Sequence, residues 1–153
     1  MRRAWIGLGA NLGERRRTLE TAITWMRATP NLEVEAVSCV RETPPMGPPQ
    51  PAYLNAVVRI RTTLAPLELL EMTQGFERAA GRVKGERWGP RPLDLDILLL
   101  EDLQYHSPTL TIPHPGIASR RFVLEPLCDL NPAFRHPVLD RPLSDLLEAL
   151  PVC

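Results

Sequence analysis

From Leu93 to Leu100 the chain reads Leu-Asp-Leu-Asp-Ile-Leu-Leu-Leu, and no other stretch limits the possible folds as sharply. An apolar run of this length, preceded by glycine and proline, fits a buried strand better than a helix. Two carboxylates interrupt it. Strand side chains alternate between faces, so Asp94 and Asp96 project from the same face, about 7 Å apart along the chain. Like charges placed side by side need cations, and the preceding segment supplies Arg87 and Arg91. The other natural cation is Mg²⁺, a hard ion held by one or two carboxylates together with substrate phosphates and water. Arginines beside such a metal point to a polyphosphate. Taken alone, an Asp-x-Asp pair is more often a solvated or salt-bridged strand end.

The flanking chain alternates strands and helices. Ala4 to Gly9 reads as a strand ending in a turn at Ala10-Asn11-Leu12-Gly13. Leu19, Ala22, Ile23 and Met26 then recur at helical spacing, with Arg15, Arg16 and Arg17 as a solvated face. Leu32 to Val40 reads as a second strand, Glu33 and Glu35 outward and Val34 and Ala36 inward. The segment from Arg41 to Pro51 is rich in proline, and a connection of that length in a compact domain is usually a binding loop. Tyr53 to Thr62 alternates cleanly, placing Leu54, Ala56, Val58 and Ile60 on one face and Tyr53, Asn55, Val57, Arg59 and Arg61 on the other. An aromatic ring beside a carboxamide suits a flat heterocycle, because the ring stacks and the amide reads an edge. From alternation alone, an ordinary half-exposed pair is the simpler reading.

Pro66 opens a helix that runs to Ala80 and stops at Gly81, with Leu69, Leu70, Thr73, Phe76 and Ala80 inward and Gln74 and Glu77 as a solvated pair. Residues 82–91 are charged and glycine-rich, which suits a loop that closes over a substrate. Ser119 is the expected N-cap of a short helix containing Arg120, Arg121 and Phe122. Pro142 starts a last amphipathic helix on Leu143, Leu146, Leu147 and Leu150, while His106 and His136 are assigned to surface or packing.

Bulk properties exclude several classes. The 153 residues suffice for one domain, residues 1–153, with a core of its own. Charge balances, 18 basic against 18 acidic residues, so no nucleic-acid partner is expected. All but one of the 18 basic residues are arginine, which suits bidentate phosphate recognition. The odd number of cysteines, 3 in all, suggests reduced thiols of a cytoplasmic protein. No apolar run approaches the roughly 18 residues of a membrane span, and no export signal is read.

The order Arg87-Trp88-Gly89-Pro90-Arg91, then Asp94-Leu95-Asp96 and aliphatic residues, resembles the signature of the 6-hydroxymethyl-7,8-dihydropterin pyrophosphokinases of folate biosynthesis. The resemblance covers nearly the whole chain. It implies an α+β fold with a ferredoxin-like core, a mainly antiparallel sheet with helices packed on it as an α/β/α sandwich. It implies transfer of a diphosphate from ATP to the hydroxymethyl oxygen of the pterin, releasing AMP, with two Mg²⁺ ions on Asp94 and Asp96. Arg82 and Arg91 would steady the diphosphate, and Asp96 is the candidate to take the hydroxyl proton. Thr43, Pro44, Met46, Tyr53, Asn55 and Phe122 match the pterin-contacting positions. Gln74, Glu77, Arg87, Trp88, Arg91, Thr111, His114 and Arg120 match the nucleotide-contacting ones. A monomer acting on small molecules is expected. Two departures stand out: residues 82–91 are one residue short with Lys84 where arginine is common, and Pro115 replaces the usual aromatic after the histidine.

Two other readings share parts of this pattern. A metal-dependent hydrolase would use the carboxylates and arginines without an aromatic pair, and a binding module would use the proline-rich segment without binding Mg²⁺ and ATP.

Overall fold

The computed structural model describes residues 1–44, 52–81 and 92–151. Its centre is β1 (Arg2–Ala10), which pairs antiparallel with β4 (Tyr53–Thr62) on one side and β5 (Asp94–Leu100) on the other. Beyond β4 lie β2 (Leu32–Val37) and β3 (Arg41–Thr43), both antiparallel to it, so the main order is β2-β4-β1-β5 with β3 beside β4. With α1 (Arg15–Arg27) after β1 and α2 (Pro66–Ala79) after β4, the connectivity is βαββαβ with its second strand split. This is the expected ferredoxin-like α+β arrangement. β6 (Tyr105–His106) and β7 (Thr111–Ile112) form a separate two-stranded ribbon.

Each face of the sheet buries a different cluster. On one face Ala4, Ile6, Leu8, Val58, Ile60 and Leu95 meet Leu19, Ala22 and Met26 of α1 and Leu69 of α2. On the other, Trp5, Val57, Leu98 and Leu99 meet α3 (Arg121–Leu130) and α4 (Leu143–Glu148). Strand alternation alone would send Leu98 and Leu99 to opposite faces. A shift in the β1–β5 register between Trp5 and Ile6 puts both on the Trp5 side.

Several local expectations need correction. The second strand stops at Val37, because the buried Ser38 turns inward and its hydroxyl accepts the Val57 N–H at 2.8 Å. The chain then resumes pairing at Arg41–Thr43, so these residues belong to the sheet and not to the loop. Glu35 is only partly outward, since Arg3 and Arg59 donate to it at 2.9 and 3.1 Å. Arg15 departs from the solvated face of α1: its guanidinium donates to the Ala52 carbonyl at 2.7 Å and to Glu42 at 3.2 Å. Ser119 does not cap α3. It ends a short 3₁₀ turn, Ile117–Ser119, with its hydroxyl on the Gly116 carbonyl, and the helix begins at Arg121 with Arg120 as the preceding extended residue.

α2 behaves as its sequence dictates. Pro66 occupies the first turn, where no N–H is required, and Glu68 accepts the Ala65 N–H at 2.8 Å. Gly81 follows its end with φ of 96°, a left-handed conformation that favours glycine.

Candidate active site

Among the described residues, the α3 face of the sheet is covered over only part of its length. β1 pairs Gly9 with Asn55 of β4 and with Asp94 of β5, and pairs Gly7 with Val57 and Asp96. Two rows therefore cross three strands on one face, Asn55–Gly9–Asp94 and Val57–Gly7–Asp96. Neighbouring strands lie about 4.8 Å apart, so each outer pair in a row is separated by about 10 Å, with only a glycine between. A Cβ at Gly9 would stand 3.2 Å from Asn55 Oδ1 and 3.4 Å from Tyr53 Cδ1. The glycines thus leave a flat floor between an amide edge and two carboxylates.

Walls rise around this floor. Tyr53, Thr43 and Pro44 stand on the β3–β4 side, and Arg120, Phe122 and Val123 on the side of α3. Together they enclose a cleft of about 280 Å³. Asn55 Nδ2 donates to the Thr43 hydroxyl, which fixes the amide and leaves its carbonyl oxygen toward the Gly9 side. The Arg120 guanidinium lies 5.9 Å from the centre of the Phe122 ring.

His114 lines a neighbouring groove together with Thr111. Its backbone N–H donates to the Leu98 carbonyl at 2.9 Å, and Nδ1 accepts the Gly116 N–H at 3.0 Å. That bond leaves Nε2 to carry the proton of the neutral ring. Burial, then the charge of Arg120, lowers its pKa below the ordinary histidine value, with Asp94 opposing. His114, Arg120 and Asp94 are therefore close enough to act on one another.

Not every expected residue converges here. Glu77 is buried rather than solvated, and it accepts the Leu95 N–H at 2.9 Å, tying α2 to the start of β5. Gln74 is exposed on α2. Thr111 lines a second groove with His106, whose Nδ1 lies 3.1 Å from its hydroxyl. Met46, Arg82, Lys84, Arg87, Trp88 and Arg91 lie outside the described residues. Sequence reasoning missed Gly7 and Gly9 as floor. The signal was there: glycine at alternate positions inside a strand strips one face and marks a close approach.

The donor set suits a particular metal. Asp94 and Asp96 offer hard oxygens from one strand face, and among the described residues no group of three or more His, Cys, Asp and Glu is placed to hold an ion. Two carboxylates without a full cage fit Mg²⁺ shared with phosphate oxygens, and fit Zn²⁺ poorly.

Residues 5–132 match the family described as 7,8-dihydro-6-hydroxymethylpterin-pyrophosphokinase (HPPK). Among curated relatives, the 2-amino-4-hydroxy-6-hydroxymethyldihydropteridine pyrophosphokinase of Pseudomonas aeruginosa is 42% identical over 152 residues, 99% of this chain and 93% of that protein. The namesake from Bacillus subtilis is 42% identical, over 83% of this chain and 77% of its own length. The folic acid synthesis protein fol1 of Schizosaccharomyces pombe is 41% identical over 97% of this chain, which spans only 20% of that protein. Among solved structures, Plasmodium falciparum HPPK-DHPS with pteroate superposes with a TM-score of 0.77 at 15% identity, over 96% of this chain and 42% of that one.

Proposed function

The chain belongs to the 7,8-dihydro-6-hydroxymethylpterin-pyrophosphokinase family, and from that premise we infer how this cleft carries out the family's reaction. The product is the diphosphate ester of 6-hydroxymethyl-7,8-dihydropterin in folate synthesis, and the donor is ATP. The observation that supports this assignment most is the flat floor with an amide at one edge and two carboxylates at the other.

The pterin lies over Gly9 and Gly7, its ring between Tyr53 and Phe122. Offset or edge-on contacts of this kind favour a planar heterocycle. Asn55, held by Thr43, reads the polar edge of the ring. The hydroxymethyl group then points toward Asp94 and Asp96. Mg²⁺, two ions of it, would supply charge neutralisation across the phosphates when held by these carboxylates. His114 offers its Nε2–H, and Arg120 its guanidinium, to the phosphate oxygens. The family resemblance assigns Arg82, Arg87 and Arg91 to the phosphates, Trp88 to the nucleotide and Met46 to the pterin; all five lie outside the described residues. Gln74 and Thr111 contact the adenosine, and Glu77 holds the start of β5 for it.

The hydroxymethyl oxygen attacks the β-phosphorus of ATP. The new O–P bond forms as the bond from β-phosphorus to the α-bridging oxygen breaks, AMP leaves, and Asp96 accepts the hydroxyl proton. Rate comes from positioning and charge stabilisation rather than covalent chemistry.

Incubation with ATP, Mg²⁺ and 6-hydroxymethyl-7,8-dihydropterin should yield AMP and the pterin diphosphate in equal amounts. Release of ADP or inorganic phosphate, with the pterin unchanged, would instead identify a hydrolase.

A further inference from the structure

The cleft has two walls that belong to different parts of the chain, and one ion pair joins them at a distance from the floor. Arg41 of β3 donates through Nη1 to Asp129 Oδ2 at 2.6 Å and through Nη2 to Oδ1 at 2.8 Å. The Cys39 N–H adds a third bond to Oδ2 at 3.3 Å, so the turn ahead of β3 is held as well. Arg41 holds the Asp129 carboxyl below the usual carboxylate range, with burial opposing, and the guanidinium is raised in turn.

Placement gives this pair its meaning. Arg41 and Thr43 are two apart in a strand and share one face, and Thr43 carries the hydroxyl that holds Asn55. Asp129 and Phe122 are two helical turns apart in α3 and share one face, separated by about 10 Å along the axis. One end of each element thus lines the pterin slot while its other end meets in the ion pair. α3 also rests on β4, α4 and the 3₁₀ turn before it, and shares a core cluster with Trp5, Leu98 and Leu99 of β1 and β5. Its separation from β3 sets the distance between Phe122 and the Thr43–Tyr53 wall.

We propose that the Arg41–Asp129 pair is a brace that fixes the width of the pterin slot, which makes both residues positioning residues for pterin binding. The proposal rests on the pterin reading of the cleft. The pair is partly exposed, 31% and 25% for its side chains, so it adds little to global stability. Its two-point geometry nonetheless restricts how β3 and α3 can shift relative to each other. A planar ring clasped between walls is sensitive to that spacing, whereas the adenosine contacts proposed on α2 and the ribbon, Gln74 and Thr111, stand on neither wall, and the long Arg120 side chain beside Phe122 can follow a small shift of α3.

The test compares wild type, Arg41→Ala, Asp129→Ala and the exchanged pair Arg41→Asp/Asp129→Arg. Binding of 6-hydroxymethyl-7,8-dihydropterin is followed by pterin fluorescence, and that of a nonhydrolysable ATP analogue by calorimetry. Each single variant should weaken pterin binding about tenfold, a loss of about 1.4 kcal/mol, with KM for the pterin raised alike. The affinity for nucleotide and kcat at saturation should stay near wild type, and the exchanged pair should recover most of the pterin affinity. Should an alanine variant fold poorly, Arg41→Lys and Asp129→Asn carry the same comparison. Single variants that bind pterin like wild type, or that lose pterin and nucleotide affinity together, overturn the brace alone. A wild-type chain that binds the nucleotide but no pterin overturns the functional reading and the brace with it.

Discussion

Two halves of one sheet face, built on the same three strands, have opposite fates. In the covered half, Trp5 and Leu99 lie under α3 and α4, with Val57 and Leu98 at the edge where the cleft begins, and none of the four is more than 1% exposed. In the open half, a step or two along the same strands, the equivalent positions hold Gly7, Gly9, Asn55, Asp94 and Asp96, and a cleft replaces the core. The β1–β4 pairing is continuous across the boundary, while the β1–β5 register shifts there, between Trp5 and Ile6. Side-chain volume and charge then divide the halves, so the strand serves as scaffold and the residue at each alternate position decides between packing and chemistry.

The largest effects should separate the halves cleanly. Asp96→Ala removes a carboxylate from the open half, to which the proposed reaction assigns charge stabilisation in the transition state. Activity should fall by about 10²–10³-fold or more, while the midpoint of chemical denaturation stays close to wild type. Leu99→Ala does the reverse. It opens a cavity in the covered half, beneath a side chain that is 0% exposed, and should cost about 2–5 kcal/mol of stability. The folded fraction should retain KM values near normal. If Asp96→Ala destabilises the fold as much as Leu99→Ala, or if Leu99→Ala abolishes turnover at temperatures where it stays folded, the division between the halves is wrong.

A subtler change moves the boundary itself. Gly9→Ala puts a methyl group 3.2 Å from Asn55 Oδ1 in the floor, where extended backbone accepts alanine. The sheet should tolerate it. Pterin affinity should drop about tenfold, equivalent to about 1.4 kcal/mol, with nucleotide binding unchanged. Unaltered pterin binding in this variant would mean that the ring does not lie over Gly9.

The core on the opposite face of the sheet, beneath α1 and α2, was far more legible in the sequence than the open half. Strand alternation and helical spacing identify Leu54, Val58 and Ile60, or Leu19, Ala22 and Met26, because burial imposes a local period on each element. Asp94 and Asp96 were legible for the opposite reason, as charges breaking an apolar run. What stayed hidden depends on partners distant in sequence. Glu77 looks solvated by its helical position, yet the Leu95 N–H needs an acceptor just where α2 crosses the end of β5. Ser38 interrupts a strand because its hydroxyl stands in for a ladder partner at Val57. Nothing local to Arg41 or Asp129 announces a pair 88 positions apart. The glycine floor required knowing which residues flank Gly7 and Gly9 across the strands, information that lies in register rather than in composition.

Two histidines that line the same second groove, His114 and His136, extend the comparison to pH, with the smallest expected effect. His136 belongs to the loop that follows α3, and Phe134 just before it packs on Trp5 with ring centres 4.7 Å apart. Its Nδ1 accepts the N–H groups of Val138 and Leu139 at 3.2 and 3.1 Å, and burial lowers its pKa from the ordinary 6.5. As pH falls through that ordinary value, the unfolded chain takes up a proton that the folded chain resists. The contribution to stability is therefore complete above the unfolded pKa and is lost as pH drops toward the folded one. Denaturation midpoints should decline between about pH 7 and pH 5.5. His136→Asn keeps an acceptor for the two amides but has no proton to gain, so its decline should be shallower. His114, lowered by burial and by Arg120, contributes the remainder. Because Arg120 and Asp94 of the cleft act on it, its protonation should register in nucleotide affinity as well as in stability. Equal slopes in wild type and His136→Asn would place the titration at His114 rather than at His136.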